Sequence, residues 1–159
     1  MRFPFRAVQR VRNTAMFLAR AHSTQKPDLL VVELAALLHD VLDKKYVAEE
    51  DAADPYAFFL PFFTSVSEHV DLVSDGRARQ VVNVVDNVSW STESKLLKAG
   101  KITAWHQTCI ELHCVQDADR LDAIGAFGET RCAFWCKSGL ISEMLGIMRC
   151  AAYSAVTNR

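Results

Sequence analysis

The chain has 159 residues, with 18 basic and 19 acidic side chains and a formal net charge of -1. It therefore lacks the surplus of Lys and Arg on which binding to duplex nucleic acid rests. Half the residues are apolar and 23% charged, which describes one ordinary globular domain, long enough to fold without a disulfide or a structural metal. No run approaches the roughly 18 uninterrupted apolar residues of a membrane span, so a membrane partner is not expected either.

Along the chain, Val8, Val11, Ala15, Leu18 and Ala19 recur at helical spacing with Arg10, Arg12 and Arg20 between them, predicting an amphipathic helix over about residues 6–22. Pro27 and Asp28 supply a turn and an N-cap. The run from Leu29 to Lys45 is apolar on every side for ten residues except at Glu33, and reads as a central, buried helix. Pro55 and Pro61 punctuate a loop with a short helix, in which Phe58, Phe59, Phe62 and Phe63 would cover the core. Gly76 opens a helix with a valine stripe (Val81, Val82, Val84, Val85, Val88) running to about Trp90, and a short helix with a glycine turn follows over Ser91–Thr103. Glu111 to Gly128 reads as another buried helix. No segment alternates with period two, so the expected fold is all-α, about six helices in one domain.

The five cysteines, Cys109, Cys114, Cys132, Cys136 and Cys150, are odd in number and lack close paired spacings. They read as reduced thiols of a cytosolic or nuclear protein. Met1 to Arg20 is basic and acid-free, which also suits a mitochondrial presequence but not a secretory signal. Near the C-terminal end, Gly128 to Trp135 is echoed by Gly146 to Tyr153, with Gly, Arg, Cys, Ala and an aromatic in one register. Residues 128–145 thus read as an insertion or an unspliced segment, and both ends of the chain as incomplete.

Two polar clusters interrupt apolar helices. His39 and Asp40 follow an apolar run, where an unpartnered buried carboxylate would be costly; on a continuous helix Asp43 would face the same point. Asp117, Asp119 and Asp122 form the second cluster, with Arg120 among them. An imidazole and carboxylates converging from two helices suit a divalent metal used in hydrolysis. The residues alone equally allow Arg120 to pair with Asp117 or Asp40 and His39 to bond a backbone carbonyl. His106, His113 and Cys114 match no metal or nucleophile spacing and are assigned to packing or surface, while His22 and His69 are expected on exposed helix ends.

Ala35-Ala-Leu-Leu-His39-Asp40-Val-Leu-Asp43-Lys-Lys-Tyr46 and Val115-Gln-Asp117-Ala-Asp119-Arg-Leu-Asp122-Ala-Ile-Gly-Ala126 together resemble the HD-domain metal-dependent phosphohydrolase superfamily. The likeness is to its small stand-alone branch with AALLHD-like and QDADRLDAIGA-like signatures, and covers about residues 8–128, including Val88-Ser-Trp90-Ser. The resemblance implies an HD-type helical bundle holding one divalent ion, Mn²⁺, Mg²⁺ or another transition metal. It implies His39, Asp40 and Asp119 as ligands, with Asp117 as fallback for the last, and Asp43 as general base. The implied substrate is a small phosphorylated molecule, a nucleotide or similar ester, with Lys44, Lys45 and Arg120 balancing its charge; a homodimer is compatible with it. The family's first ligand, a His opening a His-Val-x-Arg-Val motif, is replaced here by Ala7 before Val8-Gln-Arg10-Val11. A second reading follows from that gap: a catalytically silent HD module acting as a ligand-binding or interaction domain, or a defective gene model.

Overall fold

The computed structural model describes residues 4–42 and 53–124. Asp43, Lys44, Lys45, the echo at 128–153 and Cys132, Cys136 and Cys150 lie outside them. The chain divides into a unit Met1–Asp122 and a second, Ala123–Arg159, of which only the last two residues of a helix are described. The described residues are all-α, without a strand, and form seven α-helices.

Helix α1, Pro4–Ala21, turns its Val11, Ala15, Met16 and Ala19 stripe inward, as the three- and four-residue spacing requires. A short 3₁₀ turn, Ser23–Gln25, and Lys26 in a left-handed conformation (φ 49°) reverse the chain. Helix α2, Leu29–Leu38, starts at Asp28, whose carboxylate accepts the Leu30 and Val31 N–H groups, two of the donors a helix start leaves without partners. Val31, Val32, Ala35 and Ala36 are buried. The expected run to Lys45 is not seen: α2 ends at Leu38, and the Val41 N–H returns to the Leu38 carbonyl at 3.0 Å, tightening the end into a turn.

Helix α3, Pro55–Ser65, is the short helix expected here, and it contains both prolines rather than being punctuated by them. Pro55 stands in the first turn, where its missing N–H costs nothing, and the Asp54 side chain caps the Ala57 N–H at 3.0 Å. Pro61 lies inside the helix. Pro61 and Ala57 are both exposed, so the Ala57 carbonyl that Pro61 leaves without an in-helix donor faces water, while burial of Phe59 and Phe63 holds the helix together. Phe62 stays 40% exposed.

Helix α4, Arg77–Val88, follows left-handed Gly76 (φ 82°) and buries its whole valine stripe. It stops short of the expected Trp90, because Ser89 is extended (φ -60°, ψ 130°) and begins α5, Trp90–Lys98. The glycine turn is as read. Gly100 is left-handed (φ 63°), and the bonds Lys101 N–H to Leu96 O and Gly100 N–H to Leu97 O form a Schellman ending. Helix α6, Ala104–Thr108, is held by a capping box between Thr103 and His106. Helix α7, Ile110–Ile124, buries Leu112, Cys114, Val115, Gln116 and Ala118.

Helix α4 is the centre of the described bundle: α2, α3 and α5 pack on it, and α1 packs on α2. Side chains tie α7 in. Gln116 Nε2 donates to the Asn87 carbonyl of α4 at 2.9 Å, and Arg10 of α1 grips Asp122 with Nε and Nη2 at 2.6 and 3.0 Å. Among the described residues no helix is long and apolar enough to cross a membrane.

Candidate functional site

The turn that ends α2 exposes Asp40 and keeps His39 buried: their side chains are 63% and 5% exposed. Asp40 is therefore not the buried carboxylate that an uninterrupted helix would have made it. His39 Nδ1 lies 2.7 Å from the Ala36 carbonyl. A carbonyl oxygen only accepts, so Nδ1 carries the hydrogen and Nε2 is the nitrogen left to face outward. Nε2 points between two carboxylates, Asp119 Oδ1 at 3.6 Å and Asp40 Oδ1 at 3.8 Å.

Helix α7 thus brings Asp119, and not Asp117, to His39. Asp117 is 51% exposed and stands 4.0 Å from Arg120 Nη1; Asp122 is taken by Arg10. Burial raises the Asp119 carboxyl above the ordinary range, with Asp40 and Asp122 adding to the rise and His39 and Arg120 opposing it. Three potential ligands, two of them carboxylates, therefore meet at this point. Nε2 faces two carboxylate oxygens, an arrangement that a proton on the imidazole or a cation between the three groups stabilises.

The chemistry of this donor set suits a divalent ion. The Nδ1 bond to a backbone carbonyl is the usual way a ligating imidazole is oriented. The spacing is somewhat open, since ligands ~2.1 Å from one ion stand about 3 Å apart, and among the described residues no group of three His, Cys, Asp or Glu side chains is already closed to metal-binding distances. Ala7 is half-buried and stands four residues before Val11 on α1. The Arg12–Glu33 ion pair joins α1 to the antiparallel α2. Counting five residues, or about 7.5 Å, from that pair along two antiparallel helices would bring Ala7 level with Leu38.

Arg120 is engaged. Its Nη2 donates to Glu93 of α5, its guanidinium carbon stands 5.5 Å from the Trp90 ring centroid, and its side chain is 12% exposed. Nothing in the residue pattern singled out Glu93; the only signal was its place three residues after Trp90 in the Val88-Ser-Trp90-Ser segment. Among the described residues His106, His113 and Cys114 have the packing or surface roles expected of them, while His69 stands in the turn after α3 rather than on a helix end. His113 Nε2 bonds the His106 carbonyl at 2.8 Å, and His106 bonds Thr103 and Asn87. Burial pushes the Cys114 thiol up to about 11. His22 and His69 are exposed.

The chain is 33% identical over 129 residues to the uncharacterized protein YpgQ of Bacillus subtilis (strain 168). The match covers 78% of this chain and 52% of that protein, so the chain spans about half the length of the curated relative it matches. No family model matches the sequence, and no solved structure matches it.

Proposed function

We propose that the chain is an HD-type, metal-dependent phosphohydrolase unit acting on nucleotides or a similar phosphate ester, with His39, Asp40 and Asp119 as metal ligands. The observation that carries this reading is the His39 Nε2 aimed between the Asp119 and Asp40 carboxylates at 3.6 and 3.8 Å, two residues in one signature segment meeting a third in the other. A divalent ion held there would supply Lewis acidity toward a phosphoryl oxygen and a more acidic water. The chain's own contributions are separable. Ala36 orients the imidazole through Nδ1; Asp40, exposed just after α2, is the ligand reachable from solvent. Asp43, the general base of this reading, follows three residues later in the sequence and would accept a proton from water.

A second reading has its own observation. Ala7, half-buried four residues before Val11 on α1, has no ligating side chain, so only three side chains hold the ion and the unit serves as a catalytically silent ligand-binding or interaction domain. Both readings are tested by metal analysis and Mn²⁺ titration of the full chain, followed by phosphate release from nucleoside mono-, di- and triphosphates. Mn²⁺ binding that Asp119→Asn weakens tenfold or more, together with turnover, supports the enzyme; the same binding without turnover supports the silent module. Mn²⁺ binding indifferent to Asp119→Asn would remove the metal centre from both.

A further inference from the structure

The interaction left unexplained by the candidate centre is the one made by the residue next to Asp119. Arg120 is a nearly buried cation with a single strong partner. Nη2 donates to Glu93, Nη1 is no closer than 4.0 Å to Asp117, and the buried Nε has no hydrogen-bond partner among the described residues. Two other guanidinium groups that pair between helices are held more fully: Arg10 and Arg12 each use both Nε and Nη2, on Asp122 and Glu33. The Trp90 face at 5.5 Å adds a cation–π contact, but from the same helix that carries Glu93. Arg120 is therefore held on the α5 side by one carboxylate and the ring beneath it.

The alternative destinations for that guanidinium are the acids of its own helix. Asp117 stands one turn back at 4.0 Å, and Asp119 is the adjacent residue, already subject to Arg120's charge. A buried cation deprived of its partner is costly enough to drive rearrangement, and here rearrangement leads toward the carboxylate that His39 faces. Helix roll is the other degree of freedom. Asp119 sits about 5 Å from the α7 axis, so a 20° roll displaces it by about 2 Å, enough to undo its 3.6 Å approach to His39.

From this geometry we infer that Glu93 is a positioning residue for the candidate centre: by clamping Arg120 against Trp90 it keeps the guanidinium off Asp119 and fixes the roll of α7 that presents Asp119 to His39. The inference rests on the metal-centre reading for its purpose but not for its mechanics. Glu93 touches neither ligand nor substrate, and acts through Arg120.

The test is Glu93→Gln in the full chain, which keeps shape and one acceptor but removes the charge. At one fixed pH and without metal, the ring signals of His39, assigned by their loss in His39→Gln, should move in Glu93→Gln, while those of exposed His22 and His69 stay in place. Glu93→Asp, which keeps the charge, should restore the His39 signal at least in part. Mn²⁺ affinity should fall roughly tenfold or more in Glu93→Gln, the size of effect seen when a residue supporting a ligand is lost. If Glu93→Gln loses helix signal, the comparison of parent with Glu93→Asp serves instead, since shortening the side chain by one methylene loosens the clamp. Unmoved His39 signals with unchanged Mn²⁺ affinity overturn the inference. Moved His39 signals in a chain whose parent binds no Mn²⁺ uphold the clamp and overturn the metal centre.

Discussion

Asp28 ties three parts of the bundle together, and its removal has a calculable cost. Its carboxylate accepts the Leu30 and Val31 N–H groups at 3.0 and 3.3 Å and the Arg77 Nε–H at 2.7 Å, while its own backbone N–H donates to Glu111 Oε1 at 2.9 Å. Asp28→Ala removes an N-cap, which costs about 1 kcal/mol. It also removes an ion pair whose partners are partly exposed, 29% and 40%, and which adds at most about 1 kcal/mol. A loss of about 2 kcal/mol in a chain of this size lowers Tm by roughly 4–8 °C. Asp28→Asn keeps a capping oxygen and loses only the charge, so it should fall by about half as much.

The pH dependence gives a second readout. Burial pushes the Asp28 carboxyl up, but the Arg77 bond and charge and the Val31 and Leu30 N–H groups outweigh it, and the folded value lies below the ordinary one. A carboxyl lowered on folding contributes stability that is present above its unfolded pKa, about 3.9, and is lost as pH falls through the folded value. The Tm gap between the parent and Asp28→Asn should therefore be constant from pH 7 to 5, begin to narrow below about pH 4, where the unfolded carboxyl takes up protons, and close as pH falls through the lower folded value. Differential scanning calorimetry across that range measures both quantities. A gap that persists undiminished at pH 3, or an Asp28→Ala chain as stable as the parent, would refute the reasoning.

Ala7→His tests the register drawn through Arg12 and Glu33. An imidazole at that level should raise Mn²⁺ affinity by about tenfold or more, equivalent to ~1.4 kcal/mol, measurable by calorimetric titration; equal affinities would place residue 7 away from the centre. Cys114, whose thiol burial raises to about 11, should be alkylated at pH 8 roughly 100-fold more slowly in the folded chain than in urea, because only the thiolate reacts. Peptide mapping of iodoacetamide adducts reads this directly, and rapid labelling of native Cys114 would show the thiol to be accessible.

Periodicity by itself determined the all-α class, since α1, α4 and α7 carry their inward stripes in the local spacing of Val, Ala and Leu, and a helix repeats that spacing wherever it packs. It also determined the Gly100 turn, because a left-handed residue after a helix is a local demand. The two signature segments named His39, Asp40 and Asp119 before any geometry was available. Tertiary structure decided what depends on neighbours distant in the chain. Pro61 continues a helix because Phe59 and Phe63 have a core to enter. Helix α2 stops at Leu38 and so exposes Asp40, which the apolar run up to Leu38 did not signal. Among three acids within six residues, the roll of α7 gives Asp122 to Arg10, leaves Asp117 outward and turns Asp119 to His39. Glu93 was illegible for the same reason: its significance lies in Arg120, 27 residues away, and a sequence pattern records the faces of single helices, whereas a clamp between two helices exists only once both are packed.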